Sequence, residues 1–133
     1  ETPEHVIQMA PLGITQFEIP AGEEAHTVSS SFNLPLKVNL WGVFPHMHIL
    51  GDGYQMKIGD QCIVESDRYD FNNQLTYMFS NPIEINPGDE ISWSCTWNNS
   101  TSNPNLIHTP PIDVSYGERT DEEMCFAFSL ISF

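Results

Sequence analysis

Two histidines separated by a single residue are the clearest candidates for chemistry in this sequence. His46 and His48 flank Met47 and follow the alternating apolar stretch 36–44. In an extended chain, residues two apart point to the same side and lie about 6.5–7 Å apart along the strand, so two imidazoles can converge on one metal ion. The alternative is two surface histidines without a ligand. Met47 is predicted to point the other way, into the core.

The stretch from Gly117 to Cys125 is the second candidate, because it ends in a methionine beside a cysteine. Met124 alone does not indicate a site, since methionine most often fills gaps in a core. Cys125 begins one apolar strand candidate and Cys95 lies in another. If these strands are neighbours, the two cysteines can form a disulfide, which would stabilise the fold by about 3–4 kcal/mol. Alternatively they are separate buried thiols, and Cys62 is expected to be free and buried.

Short strand signals separated by turns dominate the rest of the chain. The strongest strand candidates are 36–44, 90–97 and 126–133, and the weaker ones are 13–19, 26–32, 53–58, 62–65 and 75–85. Ten prolines and eight glycines interrupt the sequence, and long helical periodicity is absent. This pattern predicts an all-β protein, an antiparallel β-sandwich of jelly-roll type, with residues 1–133 as a single domain.

The charge balance narrows the range of partners. Eighteen acidic residues face four basic ones, which gives a formal charge of −14. Nucleic acid is not an expected partner, because phosphate binding depends on Lys and Arg. Membrane insertion is not expected either, because no apolar run approaches the roughly 20 residues that cross a bilayer. The first residues, Glu-Thr-Pro-Glu, do not look like a signal peptide.

Four stretches in this order resemble the C-terminal, catalytic-copper domain of the type II, ascorbate-dependent copper monooxygenases. That family includes peptidylglycine alpha-hydroxylating monooxygenase and dopamine beta-monooxygenase. The matching stretches are 17–22, 44–51, 87–95 and 117–125, and together they span nearly the whole chain. Each stretch is short, but their order and spacing make the resemblance specific.

The resemblance implies a ligand set and a disulfide. It implies that His46, His48 and Met124 bind one catalytic copper ion, and that Cys125 is bonded to Cys95. Imidazoles suit copper, and a thioether favours Cu(I). Three ligands leave an open position for oxygen. The implied activity is C–H hydroxylation with ascorbate or another electron donor, in an extracellular or periplasmic setting.

Departures from the family pattern change the expected partner and substrate. The family's second copper domain uses three histidines to supply an electron, but here only the scattered His5, His26 and His108 remain. A second copper domain or an electron-donor protein is therefore an expected partner. Phe44 stands where the peptide-hydroxylating enzyme has an Arg for the peptide carboxylate, and Phe128 replaces a substrate-contacting Tyr. A glycine-extended peptide is therefore not expected, and the small-molecule substrate is unknown.

Two other functions compete with a monooxygenase domain. The first is a copper-binding module that stores or transfers the metal without turnover. The second is a zinc site formed by His46, His48 and His108, since zinc favours nitrogen ligands over a thioether. Ascorbate-driven oxygen consumption separates the enzyme from the copper module, and elemental analysis separates copper from zinc.

Overall fold

Ten β-strands form the regular secondary structure of residues 2–133, the part of the chain that the computed structural model describes. In chain order they are β1 (Gln8–Ile14), β2 (Glu18–Ile19), β3 (His26–Asn33), β4 (Val38–His46), β5 (Gly51–Ile58), β6 (Gln61–Ser66), β7 (Tyr77–Ile85), β8 (Glu90–Trp97), β9 (Val114–Ser115) and β10 (Cys125–Ser132). No helix within residues 2–133 is long and apolar enough to cross a membrane.

The strands form two four-stranded antiparallel sheets and one short pair. The front sheet has the order β1-β10-β4-β7, and the back sheet has the order β3-β8-β5-β6. Strands β2 and β9 pair separately. The prediction of an all-β antiparallel sandwich is confirmed. The jelly-roll connectivity stays a prediction, which the long-range pairing of β1 with β10 and of β3 with β8 supports.

The core lies between the two sheets and follows from the alternation in the sequence. On β8, every second side chain faces inward and is buried: Ile91, Trp93, Cys95 and Trp97. Val38, Leu40 and Val43 fill the same space from β4. Burying one large apolar side chain contributes about 1.5–3 kcal/mol, so the inward faces hold the sheets together.

Cys95 and Cys125 form a disulfide, with Cα atoms 5.9 Å apart. The predicted pairing is confirmed, but the expectation that the two strands are neighbours is wrong. β8 belongs to the back sheet and β10 to the front sheet. The bond therefore crosses the core and joins the two layers directly.

Cys62 is free, as predicted, but the expectation that it is buried is wrong, because the side chain is exposed. It lies on the edge strand β6 opposite Lys57. The pairing shifts register between Met56 and Lys57, opposite the step from Cys62 to Val64. A bulge of this kind breaks the alternation, so Cys62 does not share the inward direction of the buried Val64.

The first strand also differs from the prediction. The candidate 13–19 is replaced by β1, which ends at Ile14, and by the two-residue strand β2. Pro11 lies within β1, and β1 is an edge of the front sheet. Proline is tolerated on an edge strand, where one side needs no hydrogen-bond donor. The other seven predicted strands are found, with bounds shifted by up to two residues.

Candidate metal centre

The histidine pair lies where β4 leaves the front sheet. His46 is the last residue of β4, and His48 lies in the turn that leads to β5. The two ring centroids are 5.2 Å apart, with the ring planes at 83°. His46 is half-buried and His48 is only 4 % exposed. Met47 is fully buried between them and points into the core, as predicted.

Both imidazoles are held through the same ring nitrogen. Nδ1 of His48 lies 2.9 Å from the carbonyl oxygen of Glu122, which can only accept, so this nitrogen carries the proton. Nδ1 of His46 lies 2.8 Å from Oε1 of Gln74, whose Nε2 donates to the carbonyl of Phe71. Gln74 therefore also presents an acceptor. With both Nδ1 atoms protonated, each Nε2 keeps its lone pair for a metal ion.

Tyr69 fixes the backbone between the two histidines. Its hydroxyl donates to the carbonyl of Met47 at 2.6 Å and accepts from the amide of Met47 at 3.1 Å. Burial raises the pKa of Tyr69 to about 12, so the hydroxyl keeps its proton and can donate. The loop after β6 thus supports the histidine segment from one side.

Glu123 is a fully buried carboxyl that joins three parts of the fold. It accepts hydrogen bonds from the amides of His48 (2.8 Å), Leu50 (2.7 Å) and Met124 (3.3 Å), and from Nε1 of Trp97 (2.9 Å). Burial raises the pKa of Glu123 to about 7, although the four donors act in the opposite direction. The carboxyl connects the turn after β4, the end of β8 and the beginning of β10.

Sequence analysis did not identify Glu123, which lies in the acidic run before Met124. A signal was nevertheless present in the alternation of the following strand. Cys125 and Ala127 face inward and are fully buried. Extending the same alternation backward by two residues places Glu123 on the inward side.

Met124 lies beside the histidine pair in the backbone pairing of the front sheet. Phe126 is paired with His46, so continuing the antiparallel register by two residues brings Met124 opposite His48. The amides of Met124 and His48 also donate to the same oxygen of Glu123. Met124 itself is half-buried. All three ligands named from the sequence therefore belong to one end of one sheet.

His108 does not join this group. It lies 3.9 Å from a carboxylate oxygen of Asp121, and its side chain is partly exposed. Within residues 2–133, no group of three or more His, Cys, Asp or Glu side chains is placed to hold a metal ion. A metal centre at His46 and His48 therefore needs a third ligand of another kind, and the zinc alternative through His108 gains no support.

A cavity of about 490 Å³ lies next to this site and is not lined by the histidines. Its lining includes Tyr69 and Phe71, but neither histidine. Phe71 meets the ring of His48 edge-on, with centroids 5.9 Å apart. The cavity therefore lies beside the loop that holds the histidines, and His46 itself is half-exposed on the outer face of the front sheet.

Two neighbouring imidazoles of fixed tautomer at the end of one sheet of a β-sandwich are an arrangement that suits a transition metal. Residues 12–131 match the family model described as copper type II ascorbate-dependent monooxygenase, C-terminal domain. The chain belongs to this family. A search of curated protein sequences gives no match. The family is dependent on copper and ascorbate, which supports copper as the cofactor.

Proposed function

We propose that this chain binds one copper ion through Nε2 of His46, Nε2 of His48 and Sδ of Met124, and hydroxylates a C–H bond with external electrons. One observation carries the proposal. Both imidazoles use Nδ1 to donate to a fixed acceptor, which leaves two neighbouring Nε2 lone pairs without a hydrogen-bond role. Metal-binding histidines are commonly oriented in this way.

The donor set fits copper better than other common metals. Two imidazoles suit copper in either oxidation state, and a thioether is a soft ligand that favours Cu(I). Zinc and the hard cations prefer nitrogen, thiolate or oxygen ligands, and the described residues offer no such third group at this place. Copper held here would supply one-electron redox chemistry and oxygen activation, with a coordination position left open.

Neighbouring residues orient the two histidine rings and the Met124 segment. Gln74 and the carbonyl of Glu122 fix the two ring orientations, and Tyr69 fixes the backbone between them. Glu123 holds the Met124 segment against the His48 segment. Such supporting contacts set metal affinity and geometry almost as strongly as the ligands do.

The electrons must come from outside the histidine site. Hydroxylation consumes two electrons, and one copper ion cycling between Cu(I) and Cu(II) supplies one. A second copper domain, ascorbate or an electron-donor protein would provide the rest. The formal charge of −14 favours docking of a basic donor, with an attraction that weakens as salt is added. The disulfide suits an extracellular or periplasmic compartment.

Replacing Met124 by His should weaken Cu(I) binding by about tenfold relative to Cu(II), because a harder nitrogen replaces a soft sulfur. Competition titrations with chelators specific for each oxidation state measure both affinities. X-ray absorption of the Cu(I) protein should detect sulfur scattering in the wild type and lose it in Met124→His. All samples should carry Cys62→Ser, because the exposed thiol of Cys62 is itself a soft ligand.

Met9→Leu is the matched control, since this exposed thioether lies on β1 at the far end of the front sheet. It should leave both affinities unchanged. Equal losses of Cu(I) and Cu(II) binding in Met124→His would mean that Met124 is not a ligand. Ascorbate-driven oxygen consumption by the copper-loaded chain then tests turnover, and its complete absence with every electron donor would favour a copper carrier.

A further inference from the structure

An apolar outer surface extends across the front sheet from the histidine site. In the ladder between β4 and β10, His46 lies beside Phe126, and Phe44 lies beside Phe128. These side chains are half-buried and face away from the core. We call this surface the apolar platform; its members are Phe44, Phe126, Phe128, Leu130 and Met78.

Ring contacts join the platform to His46. Phe126 and Phe128 are stacked, with centroids 5.4 Å apart and planes at 11°. Phe44 also stacks on Phe128, with ring centroids 6.1 Å apart. The ring of Phe128 lies 6.0 Å from that of His46. The platform and the candidate ligand therefore form one continuous surface.

Two glycines let the platform side chains lie on the sheet. A Cβ atom at Gly13 would clash with the ring of Phe126. A Cβ atom at Gly42 would come within 2.8 Å of the sulfur of Met78. Any larger residue at either position would displace these side chains. Glycine at both positions therefore lets them lie flat against the sheet. Met78 remains 61 % exposed.

No lysine or arginine lies on the four strands of the front sheet. Of the four basic residues, three are paired with acidic residues and one lies on the back sheet; in that order they are Lys37, Arg68, Arg119 and Lys57. A carboxylate or phosphate on the platform would therefore find no lysine or arginine on the strands beneath it. The protein's formal charge of −14 also opposes an anionic ligand.

We propose that the apolar platform binds an uncharged, apolar small molecule and directs one of its C–H bonds toward the histidine pair. This inference rests on the proposed function and adds the substrate class to it. A small molecule is the occupant that the geometry favours, because the ring stack begins at His46, where a substrate must arrive. Contiguous exposed apolar surface beside a polar site is typical of a binding surface.

Two probes that differ only in charge test the inference. The metal-free chain of 133 residues is titrated with 3-phenylpropanamide and with 3-phenylpropanoate, and binding is followed by NMR. The amide should bind about tenfold more tightly than the carboxylate, with shifts confined to the platform and His46. Equal binding of the two probes, or shifts elsewhere on the protein, would overturn the inference.

Phe128→Ala should weaken binding of the amide by about tenfold, because a stacked ring is lost. Met78→Ser is a second variant, and its exposure makes a folding defect unexpected. Phe133→Ala is the control, since Phe133 is an exposed phenylalanine beyond the end of β10. If neither platform variant weakens binding, the platform does not hold the probe.

Copper loading separates this inference from the proposed function. With Cu(II) bound, the protons of the amide should relax faster, because the probe lies near the metal. Copper binding without this effect would overturn the inference and leave the proposed function standing. Failure to bind copper would overturn the proposed function, while the amide titration still decides whether the platform binds. Shifts of platform signals with protein concentration alone would identify an interface between two copies instead.

Discussion

Glu123→Ala is expected to lower the free energy of unfolding by about 4 kcal/mol, counting about 1 kcal/mol for each donor left without its acceptor. The four donors are buried or half-buried and belong to three separate segments. Urea unfolding of the metal-free chain measures the loss. Cu(I) affinity should fall as well, because the His48 and Met124 segments lose the carboxyl that joins them.

Glu118→Ala is the matched control for this variant. Glu118 lies in the same acidic turn, but its side chain is exposed. Its replacement should change stability by less than about 0.5 kcal/mol. A small effect of Glu123→Ala, similar to that of Glu118→Ala, would mean that water or a shifted backbone replaces the carboxyl and that Glu123 does not organise the site.

The same carboxyl should give the metal-free chain a pH-dependent stability. Burial raises the pKa of Glu123 to about 7, whereas the ordinary value is 4.5. Between these values the folded protein holds one more proton than the unfolded chain, so stability falls as the pH rises. The contribution is complete below about pH 4.5 and is lost by about pH 7, up to about 3 kcal/mol.

Glu123→Gln lacks this titration and isolates it from other groups. Its stability relative to the wild type should rise by up to about 3 kcal/mol between pH 5 and pH 8. Unfolding curves of both proteins at the two pH values provide the difference. A constant difference would mean that Glu123 ionises alike in the folded and unfolded chains.

The histidine pair could be predicted from the sequence because two histidines one residue apart are a local pattern. One residue between His46 and His48, next to a strand, is enough to suggest two imidazoles on one side. The contacts that orient them come from distant segments, namely Gln74 and the carbonyl of Glu122. A backbone carbonyl has no sequence signature, so this part of the site needs the three-dimensional structure.

Strands were predicted correctly where the alternation of apolar and polar residues was strong. The prediction was unreliable where a single residue interrupted the alternation. β8 alternates through eight residues and was found within its bounds. The first strand was predicted at 13–19 instead of Gln8–Ile14, and a bulge in β6 reversed the expected burial of Cys62. Both errors concern edge strands, β1 and β6. Whether a strand lies at the edge or in the centre of a sheet cannot be read from that strand alone.

The disulfide between Cys95 and Cys125 was also only partly predictable from the sequence. The strand candidates correctly placed both cysteines in apolar strands, but they gave no indication that the two strands belong to opposite sheets. Because the bond joins two different sheets, it has a structural consequence that the sequence did not suggest. It anchors the beginning of β10, and with it Met124 and Glu123, to β8 of the back sheet.

The double variant Cys95→Ala/Cys125→Ala should lose about 3.5 kcal/mol of stability, because the bond closes a loop of 30 residues in the unfolded chain. Urea unfolding under non-reducing conditions measures the loss, and Cys62→Ser is the control that should leave stability nearly unchanged. Cu(I) affinity should fall in the double variant beyond any effect of unfolding, since the Met124 segment loses its covalent anchor. A double variant as stable as the wild type would mean that the hydrogen bonds of Glu123 and the packing around Trp97 already hold the two sheets together without the bond.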